Sequence, residues 1–274
     1  MARDVRDGNV AWSSNIGMCP VCAFRLTPVF DGARVIVSSG SRLIALGIED
    51  GAEAWSIDVD GLPDGGGVMA ADGVLAFRTI EPMLGPSCSS VTTRILFVNV
   101  EAGLLVWQIQ YSGLFAVMAV GGGYLHTVVS EGCDPAAGGS TTGFTMRVTS
   151  LTSRKEMARV PVSEPYADPV LAGGVMVFVG SDGLEAYEPG TTSPVWVVPM
   201  PEPAQAVASL GDQVLVARRK ELLILDGATG DTVLSRGLGE VYFRQGLNVL
   251  PTIGVTASHI IVPTEPDPLR GYVV

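Results

Sequence analysis

Ser39-Gly-Ser-Arg-Leu-Ile-Ala-Leu-Gly-Ile-Glu-Asp-Gly-Ala-Glu-Ala-Trp55 is the stretch on which the fold turns. Leu43-Ile-Ala-Leu46 is a short apolar run of strand length, and Glu49-Asp50-Gly51 is a turn signal. A tryptophan follows the glycine four residues on. The same phrase recurs as Gly8-Asn-Val-Ala-Trp12 and Gly103-Leu-Leu-Val-Trp107. Weaker copies read Thr192-Ser-Pro-Val-Trp196, Gly230-Asp-Thr-Val-Leu234 and Arg154-Lys-Glu-Met-Ala158. The slots at 12, 55, 107, 158, 196 and 234 are separated by 43, 52, 51, 38 and 38 residues. A period of this size marks a chain built of stacked supersecondary units.

A second phrase lies between the slots: a small or acidic residue with glycine, then alternating β-branched residues. It appears as Asp31-Gly-Ala-Arg-Val-Ile-Val, Asp72-Gly-Val-Leu-Ala-Phe and Gly122-Gly-Tyr-Leu-His-Thr-Val. Three more copies are Gly173-Gly-Val-Met-Val-Phe-Val, Gly211-Asp-Gln-Val-Leu-Val and Ala257-Ser-His-Ile-Ile-Val. Turn glycines followed by Val, Ile, Phe and Tyr signal hairpins. No apolar period of 3.6 residues persists over helical length. Each unit reads as a small antiparallel sheet of about four strands, apolar on both faces, which only neighbouring sheets can cover. Radial stacking into a β-propeller meets that need and leaves short sheet edges.

The ends support a closed ring. The sixth strand phrase is followed by Leu269-Arg-Gly-Tyr-Val-Val274 without its glycine–tryptophan phrase, which stands at the other end as Gly8 to Trp12. The expectation is an all-β, six-bladed propeller over residues 1–274 as one domain, its last blade closed by the N-terminal strand. Its blades run over about 13–60, 61–112, 113–163, 164–200, 201–238, and 239–274 with 1–12.

The Ser39–Trp55 unit, with Glu221-Leu-Leu-Ile-Leu-Asp-Gly-Ala-Thr-Gly230, resembles the PQQ-like (quinoprotein-like) propeller repeat. WD-type repeats would carry Trp-Asp, which is absent. The resemblance implies that Trp12, Trp55, Trp107 and Trp196 pack blade on blade. The family's dehydrogenases have eight blades, a vicinal Cys-Cys disulfide, a calcium held by Glu, Asn and Asp, and a catalytic aspartate. The chain has no adjacent cysteines. Its resemblance is to the non-catalytic scaffold branch, which includes a propeller lipoprotein of bacterial outer-membrane assembly.

Composition narrows the partners. Asp and Glu outnumber Lys and Arg by 28 to 17, a net charge of −11 that a phosphate backbone would repel. Arg218-Arg219-Lys220 is the one tight basic cluster and reads as a solvated strand end. No apolar run is long enough for a transmembrane helix. Met1-Ala-Arg-Asp-Val-Arg-Asp-Gly8 lacks the apolar core of a secretory signal, so an exported protein would have lost its leader.

Cys19-Pro-Val-Cys22 is a C-x-x-C without the helix N-terminus that thioredoxin-type chemistry requires, or a second ligand pair for zinc. A local disulfide comes first, two free thiols second, and a metal or redox role last. Cys88 and Cys133 lie in insertions at equivalent places of blades two and three, loops that emerge side by side on a ring; a disulfide between them is expected. Four pairable cysteines and only two lysines favour an oxidising, exported location.

Residues that could do chemistry are sparse. His126 reads as a core or channel histidine, and His259 as a solvated turn residue. Gly65-Gly-Gly67 and Gly121-Gly-Gly123 precede strands, not the helix N-termini that cradle phosphate. The strands nearest the axis, Val68-Met-Ala and Phe115-Ala-Val-Met-Ala, are small and apolar. No catalytic, cofactor or metal residue is assigned. The expected function is a protein-interaction scaffold that meets its partner through the loops at about 80–94 and 130–143. The competing expectation is a small-molecule-binding or enzymatic propeller that uses its central channel.

Overall fold

The computed structural model describes residues 2–3, 9–16, 29–39, 41–59, 62–63, 69–71, 73–80, 92–112, 116–130, 133–134, 140–141, 143–202, 204, 206–218, 221–237, 254–255, 259–262 and 270–273. The described residues are all strand, turn and connection, and none of them forms a helix long and apolar enough to cross a membrane. They fall into two compact units, Met1–Leu114 with Gly132–Ser140, and Phe115–Glu131 with Thr141–Val274.

In the first unit, Val10–Trp12 pairs with Ala2–Arg3. The first sheet runs in sequence order through Val29–Phe30, Arg34–Ser39, Arg42–Gly47 and Glu53–Asp58. The second has five strands: Leu62–Pro63 and Met69–Ala71 both pair with Val74–Ile80, which is followed by Thr92–Asn99 and Leu104–Ser112.

In the second unit, the third sheet is Ala116–Gly121, Tyr124–Ser130, Phe144–Ser150 and Glu156–Val162. The fourth is Pro165–Ala172, Val175–Gly180, Gly183–Tyr187 and Trp196–Pro199. The fifth is Ala206–Leu210, Gln213–Arg218, Glu221–Asp226 and Thr232–Gly237. A three-stranded sixth sheet joins Gly254–Val255, His259–Val262 and Arg270–Val273. His259, expected in a turn, therefore opens a strand. Every sheet is an antiparallel meander, the topology that short hairpin turns allow.

The middle strands are buried on both faces. Val175–Gly180 is buried throughout, as are Val214–Ala217 and Leu222–Leu225. Ile36, Leu43, Ala45, Leu75, Phe77, Leu96 and Val98 form one core between the first and second sheets. Val177, Val179, Leu184, Val214, Val216 and Leu225 form another between the fourth and fifth. The outer strands are the more exposed ones.

One irregularity repeats. Register in the first sheet passes from Ala45↔Trp55 to Leu46↔Glu53, leaving Ala54 as the extra residue of a β-bulge. The second sheet skips Val106 between Phe97↔Trp107 and Val98↔Leu105. The third skips Met157 between Val148↔Ala158 and Thr149↔Glu156, and the fifth skips Val233 between Ile224↔Leu234 and Leu225↔Thr232. Ala158 and Leu234 thus hold the same register position as Trp55 and Trp107. The skipped residues face outward, with Val106, Met157 and Val233 all exposed.

Candidate functional site

The joints between sheets are built from the turn that precedes each outer strand. Gly51, Gly103 and Gly230 sit there at φ of 69°, 65° and 76°, the left-handed region where a Cβ is costly. Each N–H closes the turn on the residue four back: Gly51 on Gly47 O, Gly103 on Asn99 O, Gly230 on Asp226 O. Asn99 and Asp226 also accept the following backbone N–H groups on their side chains, as Asx turns do.

A ring from the preceding copy lies on each of these glycines. A Cβ added to Gly51 would stand 2.6 Å from Trp12 Cδ2, one at Gly103 2.6 Å from Trp55 Cγ, and one at Gly230 2.8 Å from Trp196 Cδ2. The indole N–H then donates to a carbonyl three residues before the glycine. Trp12 reaches Ile48 O at 2.8 Å, Trp55 reaches Val100 O at 2.7 Å, and Trp196 reaches Gly227 O at 2.9 Å. One tryptophan thereby covers apolar surface and donates to a turn carbonyl, the combination its amphipathic ring suits. Trp107 is half-buried and stacks on Phe97, with centroids 4.6 Å apart.

The joint between the third and fourth sheets is made differently. Its slot holds Ala158, and the fifth copy of the phrase, in the fourth sheet, has Thr192 in the glycine position. The left-handed glycine is Gly190, at φ of 86°, two residues earlier. Tyr124 supplies the ring: a Cβ on Gly190 would stand 2.9 Å from Tyr124 Cζ. His126, two residues along the same strand and wholly buried, accepts the Gly190 N–H on Nε2 at 3.0 Å. Burial pushes its imidazole down to about 4. Neither residue carries a signal in the phrase that located the tryptophans.

The same two sheets flank a small, partly open hollow lined by Val128, Met146, Phe178, Glu185 and Tyr187 among others. The Tyr187 hydroxyl donates to Glu185. Burial first, and the Glu185 carboxylate second, raise the phenol's pKa, so Tyr187 stays protonated near neutrality. In the first unit, Asp31 accepts the N–H groups of Ala33 and Arg34 and the Arg34 guanidinium. Burial works against the Asp31 charge, but those donors prevail and hold its pKa below the usual value. No group of three or more His, Cys, Asp or Glu residues among the described residues is placed to hold a metal.

Two inserted connections stand out. Only two residues separate the second and third strands in the first, fourth and fifth sheets: 40–41, 181–182 and 219–220. In the second and third sheets the same link spans 81–91 and 131–143. Within the latter, Cys133–Asp134 pairs with Ser140–Thr141. Cys19, Cys22 and Cys88 lie outside the described residues, as does the Cys133 side chain.

Repeated antiparallel sheets, with a tryptophan laid on the turn glycine of the next copy at Gly51, Gly103 and Gly230, define the class of PQQ-like propeller repeats. A family model described as outer membrane protein assembly factor BamB matches residues 1–233, and the chain belongs to that family. The chain is similar in fold to BamB from Moraxella catarrhalis, at 14% identity and a TM-score of 0.51, over 99% of this chain and 78% of that one. It is also similar to Hsv2p of Kluyveromyces lactis, at 12% identity and a TM-score of 0.60, over 91% and 74% of the two chains. A third likeness is to BBS1N, solved in complex with ARL6DN, at 12% identity and a TM-score of 0.54, over 88% and 74%. No curated protein sequence matches.

Proposed function

We propose that the protein is a non-catalytic scaffold or accessory subunit of an exported, envelope-associated assembly. The family match over residues 1–233, whose description names outer membrane protein assembly, carries this reading. The repeated joints support it: a stack of sheets braced by rings on turn glycines is a stiff platform, and stiff platforms present variable loops. The sheets form one six-bladed ring, and the N-terminal strand Val10–Trp12 completes the sixth. The insertions at about 80–94 and 130–143 meet the partner, because they are far longer than the two-residue links at the same place in the first, fourth and fifth sheets. In the oxidising envelope a Cys88–Cys133 disulfide ties the two loops together.

Photo-crosslinkers at positions 85 and 137, and at the exposed outer-strand residue Ser235, test this in the native envelope. The expected result is one shared crosslinked protein from both loops and none from Ser235. Recovery of the chain alone, with a quinone or metal bound, would overturn it.

A further inference from the structure

We propose that the joint between the third and fourth sheets is an acid-sensitive latch, in which His126 and Tyr124 together do for the Gly190 turn what one tryptophan does for the others. Tyr124 supplies the ring on the glycine and His126 supplies the hydrogen bond, with the direction reversed. At Gly51, Gly103 and Gly230 an indole donates to a turn carbonyl. An indole N–H keeps its proton at every pH a protein meets, so those joints are indifferent to acid. At Gly190 a backbone N–H donates to an imidazole nitrogen, which acid can fill.

The surroundings give the added proton nowhere to go. Nε2 already faces the Gly190 N–H, so protonation sets two donors against each other. Nδ1 is buried and has no hydrogen-bond partner among the described residues. Ala119 and Val148 flank His126 in its sheet, and Phe178 faces it with ring centroids 6.4 Å apart. The titratable and charged groups on the elements packed around it are Tyr124 on its own strand, Arg147 beside Val148, Asp168 on the strand that packs against Ala116–Gly121, Glu185 and Tyr187 beyond Phe178, and Glu188 on the turn. None of them hydrogen-bonds to His126 among the described residues, so no carboxylate stands ready to stabilise an imidazolium. Water delivers the proton, the Gly190 bond breaks, and the 188–191 turn separates from Tyr124. Neutralisation restores the latch.

The sign follows from the depressed basicity. Because folding holds the histidine neutral, its contribution to stability is complete above the ordinary histidine pKa of 6.5 and is lost as the pH falls toward about 4. Over that window the folding equilibrium drops by up to about 300-fold from this one group. Carboxylates such as Asp31 add their own acid loss, so the comparison is with His126→Gln, which retains an acceptor and cannot be protonated.

Denaturant titrations of the whole chain at pH 7, 5.5 and 4.5 should show a shallower acid loss in H126Q than in the parent. Histidine labelled at Cε1 should show one ring still neutral at pH 5, assigned with H259Q because the chain has only two histidines. Amide exchange supplies a readout that does not depend on the variant folding: Gly190 should lose protection between pH 6 and 4.5 while Gly51, Gly103 and Gly230 keep theirs. A ring at position 126 that titrates near 6.5, or four glycines that lose protection together, would overturn the latch.

Discussion

The left-handed glycines under the rings decide most at the scale of single residues. Gly51→Ala and Gly230→Ala would set a methyl into an indole as well as forcing an L-residue to φ of 69° and 76°. Each should cost about 2–4 kcal/mol, read by denaturant unfolding. The third sheet offers the reverse experiment. Arg154 holds the same turn position, donating its N–H to Ser150 O, but at φ of 58° without being glycine. Arg154→Gly should therefore stabilise by about 0.5–1 kcal/mol, the net of relieved backbone strain and a more flexible unfolded chain. Trp196→Phe keeps a ring but loses the N–H donated to Gly227 O, and should cost about 1–2 kcal/mol. These roles were half legible beforehand: glycine four residues before tryptophan located the slots. That the ring sits on the glycine of the next copy, not its own, depends on contacts distant in sequence.

At the scale of the strand, the outer strand of the second sheet shows how one element serves two environments. Leu104–Ser112 carries no charge and no proline, unlike Glu53–Asp58 or Glu156–Val162, so it is the least guarded edge in sequence terms. Its protection is the bulge at Val106, which twists the edge and interrupts its ladder. Val106 points outward at 50% exposure, so Val106→Lys should change stability by no more than about 0.5 kcal/mol and reduce light scattering on refolding. Phe97, 2% exposed opposite Trp107, is the contrast: Phe97→Ala should cost about 3–4 kcal/mol. Strand identity and turn placement were readable from period and glycine. The bulge was not, because an extra residue in an outer strand leaves no mark in the alternation.

At the scale of the whole chain, the two long connections and the acid response carry the predictions. Mass mapping of reduced and unreduced protein should place Cys88 and Cys133 in one crosslinked fragment; two free thiols would refute the staple. Removing 135–139, with Cys88 and Cys133 retained, should weaken partner crosslinking from position 85 yet leave unfolding almost unchanged, since loop length alone alters closure entropy only slowly. Acid should weaken the second unit before the first, since the second holds His126 at a joint where the first has Trp12 and Trp55.

The sequence by itself determined that the chain is a series of antiparallel sheets, where most of their turns fall, which residues occupy the recurrent slot, and which two connections are enlarged. Those are local matters, set by alternation, turn chemistry and spacing. Only the tertiary structure decided how each slot is used, because a joint is made between residues tens of positions apart. It placed Trp55 beneath Val100 and on Gly103, and where Ala158 leaves the slot without a ring, it brought Tyr124 and His126 to Gly190. A histidine in an alternating strand looks the same whether it faces solvent, a channel or a turn; burial and one backbone N–H made it a base held neutral.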